Sequence, residues 1–265
     1  MLTFDDNADR IYNSDILRPG GLPAMRIPAI LRFLLIGTFA IAITCIGSAE
    51  PTDDETPTKP PARVKITINT TEAPECAEWA SRAYKAIEEW YPKITKMLET
   101  EGFTPRSEVT VNIKAKYDGI AATGGDGIDV SADWIKQHPD DIGMVVHEAV
   151  HWIQQYPDYN ASWLVEGIAD YIRYFEFEPR TEYPVLDPAK NSYRDGYMTS
   201  AMFLAWVEQK RCRTIISDMN KALRKGDYSY DMWRKLTGRN LDRLWSEFIE
   251  TARRKGEIKA PKKME

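Results

Sequence analysis

The sequence predicts an α+β fold: a small twisted sheet with helices, followed by a mainly helical half. Three observations carry that prediction. Apolar and polar residues alternate over 63–70 and 109–115, the period of strands with one buried face. Beyond residue 141, apolar residues recur every three to four positions in five long segments, as on the buried faces of helices. The chain has no internal repeats, and the roughly 195 residues beyond its N-terminal region suit one domain with a substantial core.

Residues 1–49 read as an N-terminal extension and a signal peptide. The run from Phe33 to Ala49 is uncharged and mostly apolar, Arg26 and Arg32 precede it, and Gly47, Ser48 and Ala49 offer small residues for cleavage before Glu50. A signal peptide does not normally carry more than twenty residues ahead of its basic region, so Met25 is the expected start and 1–24 an upstream extension. The protein is then exported: secreted, periplasmic or at the cell surface. The alternative is a retained signal anchor, because the uncharged run approaches the shortest membrane span. Residues 50–62 are mainly Pro, Thr, Asp, Glu and Lys, a disordered linker. The domain proper covers 63–258, and 259–265 is a basic tail.

Within the domain, a strand over 63–70 is followed by a helix over 76–101, with Trp79, Ala83, Ile87, Trp90, Ile94 and Met97 on one face and Gly102 as stop signal. A strand over 109–115 leads into 118–127. Gly119, Gly124, Gly125 and Gly127 make that segment a loop, and it lacks the lysine and following helix of a phosphate loop. Residues 128–131 form a short strand. Helices are expected over 141–156, 162–177, 193–210, 214–225 and 241–255, and the Pro-containing segment 178–192 is a loop.

The chemistry is carried by His147-Glu148-x-x-His151. Positions i and i+4 share a helix face, so both imidazoles can address one metal ion, while Glu148 lies about 100° further round. The chain holds only three histidines, and two of them are here. Met144, Val145, Val146, Ala149, Val150 and Ile153 make the helix apolar nearly all round, and polar groups in such a helix are costly unless something satisfies them. A catalytic zinc takes three protein ligands and leaves one position for water. His138, nine residues before His147 and about 13 Å along a helix axis, cannot easily reach the metal and reads as a surface or capping residue. The third ligand should therefore be a carboxylate or a cysteine.

Glu166 is the candidate. A turn at 157–160 makes the helices before and after it antiparallel neighbours, with Asn160 or Ser162 as N-cap, and Glu166 faces back to the first. Asp170, four residues on, is spaced to accept the second ring N–H of a ligating histidine. Gly167 between them suggests close packing beside the site. The competing reading of both acids is a solvated polar stripe.

With these residues in view, the chain resembles the basic secretory protein family, secreted peptidases of plants and bacteria. The resemblance rests on the segments 127–135, 147–154, 166–174 and 196–204 and on a late 244–248 helix, and it covers roughly 64–258. It implies a zincin-like metallopeptidase whose third ligand is glutamate: His147, His151 and Glu166 on Zn2+, Glu148 as general base. It also implies that the strand at 128–131 is either an edge strand beside the cleft, able to pair with an extended peptide, or an ordinary sheet strand. The net charge of −5 departs from the family's name. Tyr197, in the matching 196–204 segment, is the candidate donor to the oxyanion, with Tyr171 and Tyr193 in competition.

The expected reaction is hydrolysis of peptide bonds by a zinc-activated water, with Glu148 moving the proton. Two alternatives stand beside it: a secreted binding protein that keeps a structural metal, and a zinc hydrolase of a non-peptide amide such as cell-wall material. The expected partner is a peptide or protein substrate. The mildly acidic domain offers nothing to nucleic acid, and no membrane contact is expected beyond the signal sequence. A monomer is expected. Cys76 and Cys212 could form one disulfide or remain two separate buried thiols.

Overall fold

Where the sequence alternates, the computed structural model, which describes residues 64–179 and 183–254, forms strands. They are β1 (Lys65–Asn69), β2 (Glu108–Lys114), β3 (Ala121–Gly124) and β4 (Gly127–Ser131). The sheet order is β1-β2-β4-β3, with β1, β2 and β4 parallel and β3 antiparallel to β4. Val109, Val111 and Ile113 of β2 and Ile128 and Val130 of β4 are fully buried on one face. The other face is polar, and there the Asn112 amide donates to Asp129 across the β2–β4 pair at 3.0 Å.

Helices cover the apolar face. α1 (Ala77–Met97) buries Trp79, Ala83, Ile87, Tyr91 and Ile94 and packs on β1 and on α3 (Gly143–Gln154). Such side chains each contribute about 1.5–3 kcal/mol on full burial. α3 lies against β3 and β4 as well, so the sheet backs the helix that carries both motif histidines. α4 (Ser162–Tyr171) runs on as a π-helical turn (Ile172–Phe177) and packs on α5 (Tyr197–Lys210). A Cβ on Gly167 would lie 2.7 Å from Ser200 Cβ, so these helices approach as closely as only glycine permits. α7 (Asp231–Thr237) and α8 (Leu241–Arg254) close the helical half over an aromatic cluster, with Trp163, Tyr193, Phe203, Trp233, Trp245 and Phe248 in ring contact. α6 (Ile215–Lys225) ties that half to α1 through the buried Asn220 amide, which donates to Leu98 O at 2.9 Å and accepts from Tyr156 at 3.0 Å.

Several expectations need correction. The segment read as a loop over 118–127 contains β3; with four residues flanked by glycines, its alternation is too short to register in the sequence. Of the two readings of 128–131, the ordinary sheet strand is the one formed: β4 is interior, and β3 holds the edge. Gly127, at φ +144, turns the chain between them, where a Cβ would fall 2.4 Å from Thr110 O. α2 (Ala132–Gln137), capped by the Ser131 hydroxyl accepting from Trp134 N–H at 3.2 Å, and α7 were not expected. The helix expected over 193–210 breaks at Gly196, φ +74, into a 3-10 turn with a Ser192/Asp195 capping box and α5. Neither Asn160 nor Ser162 caps α4; Ala161 is its N-cap residue. Cys76 and Cys212 are both free thiols: Cys76 is packed into the core below α1, and the Cys212 sulfur pairs with the Thr214 hydroxyl. No described helix is long and apolar enough to cross a membrane. The signal-peptide, linker and basic-tail readings lie outside the described residues.

Candidate metal centre

α3 is positioned from its first turn. Asp141 Oδ1 accepts from Met144 N–H at 3.2 Å, while Oδ2 accepts from Trp134 Nε1 at 3.0 Å. The buried Arg173 guanidinium bridges Asp141 and Glu178, at 2.5 and 2.8 Å. Gly143 fits beneath that bridge, where a Cβ would fall 2.2 Å from Glu178 Oε1. The helix ends at Gln155, whose left-handed backbone (φ 42) sends the chain into the turn that brings α4 back alongside. The two helices therefore pack with Glu166 toward the motif histidines, as the spacing predicts.

Three side-chain atoms converge. His147 Nε2 and His151 Nε2 are 3.0 Å apart, and each lies 3.3 Å from Glu166 Oε2. Each outer ring nitrogen has a partner of its own. His147 Nδ1 lies 2.7 Å from Asp170 Oδ1, and His151 Nδ1 lies 2.7 Å from Gln154 Oε1. A carboxylate only accepts, so His147 carries its proton on Nδ1. Gln154 Nε2 donates to Val165 O at 3.0 Å, which turns its oxygen to His151 and places that proton on Nδ1 too. Both Nε2 atoms then present lone pairs to one another and to a carboxylate oxygen. One proton can bridge one such pair; a cation satisfies all three.

The separations suit zinc. Bonds of about 2.0–2.1 Å in tetrahedral geometry set neighbouring ligand atoms roughly 3.3 Å apart. Among the described residues, His147, His151 and Glu166 form the one His/Cys/Asp/Glu group whose ligand atoms all lie close enough together to hold a metal. Without a cation, the same demand for positive charge draws protons onto the imidazoles. Burial pushes the His147 imidazole down, but the Asp170 and Glu166 carboxylates push it further up, to about 10. His151 is raised in the same way, chiefly by Glu166 against its burial. Burial pushes Glu166 up, yet the two imidazoles hold it well below the usual carboxylate range. The pocket is built to hold positive charge.

Glu148 sits beside this point, buried, and sequence reasoning missed what holds it. Thr123 on β3 places its Oγ1 2.7 Å from Glu148 Oε2 and 2.9 Å from Glu148 O. The edge strand thus touches the side chain proposed to move protons. Nothing in the sequence marked Thr123, because it lay in the segment read as a loop. Gln154 was missed despite a usable signal, for it follows His151 by three residues on the same helix face.

The three tyrosines separate. The Tyr171 hydroxyl donates to Glu208 at 2.7 Å and lies 3.0 Å from Glu176, and Tyr193 donates to Asp242 within the aromatic cluster. Tyr197 alone of the three meets a motif histidine. Its ring stacks on His147 at 6.3 Å between centroids, aimed by a left-handed backbone of φ 46. A fourth tyrosine, Tyr159, lies between His151 and Glu166 in the chain. It is 54% exposed on the turn between α3 and α4, and its hydroxyl is raised by burial and by the Glu166 and Glu148 carboxylates nearby. His138 stacks on Trp134 at the end of α2 and takes no part in the metal-ligand group.

Residues 65–248 match the family model BSP, described as peptidase of plants and bacteria. No curated protein and no solved structure matches the chain.

Proposed function

Because this chain belongs to the BSP family, the peptidases of plants and bacteria, we propose that it is an exported zinc-dependent metallopeptidase of zincin-like fold. The observation that carries the zinc is the convergence of His147 Nε2, His151 Nε2 and Glu166 Oε2 within 3.0–3.3 Å, with both ring protons committed elsewhere. Three protein ligands rather than four favour a catalytic over a structural ion, since a catalytic zinc keeps an open position. When bound there, zinc would make a water acidic enough to attack near neutral pH and would polarise the scissile carbonyl.

The chain's own residues supply the rest. Glu148 accepts the proton of the attacking water at its carboxylate and returns it to the leaving amine. Thr123 holds that carboxylate in place. Tyr197 is the donor to the charge that develops on the carbonyl oxygen. Asp170 and Gln154 fix both imidazoles with Nε2 inward, a tautomer the ligand role requires. The free edge of β3 offers backbone N–H and C=O groups to an extended peptide, and adding a strand there would lay the substrate beside Glu148. The uncharged run at 33–49 with small residues before Glu50 supports export.

Incubation of the wild type and Glu148→Gln with a mixed peptide library, read by mass spectrometry, tests this reading. Cleavage by the wild type and none by the variant is expected. Equal cleavage by both would remove Glu148 as base, and cleavage by neither would remove the peptidase.

A further inference from the structure

A shallow groove lined by Arg106, Ser107, Glu108, Gly125 and Trp152 adjoins the metal-site helix and the edge strand. Trp152 follows His151 in α3. Gly125 opens the turn that directly follows β3, two residues beyond Thr123 and so no more than about 7 Å from it. A peptide paired with β3 at the catalytic glutamate would reach the groove within two to three residues.

Arg106 is held ready in this groove. Its backbone is pinned by the Tyr91 hydroxyl, which donates to Arg106 O at 2.6 Å. Its guanidinium lies over the Trp152 ring, 4.0 Å from the centroid. That ring is in turn fixed by Trp152 Nε1 donating to Glu108 O at 2.8 Å. Stacking of this kind orients the planar fork and leaves its N–H edge for a ligand. Arg106 is exposed, and among the described residues no carboxylate lies within ion-pair distance of it. The one acid lining the groove, Glu108, pairs with Lys65 at 3.1 Å. A stacked arginine without a carboxylate partner, in a groove that shares α3 and the end of β3 with the candidate centre, is a recognition element, because it supplies two parallel donors to a planar anion.

We propose that Arg106, laid on Trp152, is a specificity subsite that selects peptides carrying a carboxylate two to three residues from the cleaved bond. The subsite rests on the peptidase reading and names its substrate class. The carboxylate has two sources, an Asp or Glu side chain or the C-terminus of a short peptide.

The test uses three matched peptide sets with the wild type, Arg106→Lys and Arg106→Glu. One set has internal acidic residues and amidated C-termini. A second is neutral with free C-termini, and a third is neutral and amidated. The readout is the ratio of kcat/KM between each carboxylate-bearing set and the neutral amidated set. The wild type should prefer one carboxylate set by roughly tenfold, the scale of a charge-assisted pair near a surface. Arg106→Lys should lower that ratio, and Arg106→Glu should abolish or invert it. A preference for the first set assigns a side-chain site; a preference for the second assigns a terminal-carboxylate site. Cleavage without any carboxylate preference, or a preference unchanged in Arg106→Glu, overturns the subsite and leaves the peptidase standing. No cleavage of any set or of the mixed library by the zinc-loaded wild type overturns both.

Discussion

Thr123 Oγ1 lies 2.7 Å from Glu148 Oε2, so the edge strand and the motif helix meet at the carboxylate proposed to carry protons. A hydrogen bond to a charged group is worth about 1.5–3 kcal/mol, enough to restrict Glu148 to one orientation. Thr123→Val keeps the strand and the shape but removes the donor. It should lower kcat by roughly ten- to a hundredfold with KM little changed. Thr123→Ser should restore most of the loss. Equal kcat in all three proteins would show that Glu148 needs no such support.

The outer partners of the histidines set the affinity of the site. Asp170 and Gln154 each lie 2.7 Å from an Nδ1 atom. Loss of such a partner typically weakens metal binding by about 10–100-fold. Asp170→Ala and Gln154→Ala should each raise the zinc dissociation constant by that order in competition with a chelator. Glu166→Ala, which removes a ligand, should raise it further. An affinity insensitive to Asp170 would place the metal elsewhere.

Two tyrosines are candidates for the oxyanion. Tyr197 stacks on His147, and Tyr159 sits on the turn between α3 and α4 with its hydroxyl raised by burial and by the Glu166 and Glu148 carboxylates. Removing one donor of this type costs about 10²–10³ in kcat. Tyr197→Phe is expected to show that loss and Tyr159→Phe is not. The reverse pattern would transfer the role to the turn.

The helix α4, which carries Glu166, rests on α5 at Gly167, where a Cβ would lie 2.7 Å from Ser200 Cβ. Gly167→Ala should therefore destabilise the fold by about 1–3 kcal/mol, as overpacking does. Thermal unfolding would read this as a lowered Tm, and Ser200→Gly in the same chain should recover part of it. A Tm unchanged in Gly167→Ala would mean that the helices separate without cost.

Much of the centre was legible because it is local. The spacing of His147, Glu148 and His151 follows from one helix, and Glu166 and Asp170 follow from a single turn and the next helix. These are relations within about 25 residues, where periodicity fixes the geometry. The residues that escaped, Thr123 and Arg106, reach the site through sheet pairing and tertiary packing. β3 is four residues long, too short for alternation to declare it, and with it unseen β4 stayed open between an edge strand and an ordinary sheet strand. Arg106 belongs to no element at all, and only the fold brings it over Trp152. Gln154 is the exception, since its place one turn after His151 was open to inference.

A zinc ion held by His147, His151 and Glu166 is tested most directly by anomalous scattering at the zinc absorption edge from crystals of the domain. One peak per chain is predicted, within about 2.0–2.2 Å of His147 Nε2, His151 Nε2 and a Glu166 carboxylate oxygen, with no fourth protein ligand. A zinc-loaded, active protein with no peak between α3 and α4, or with a fourth side chain closing the coordination, would contradict it.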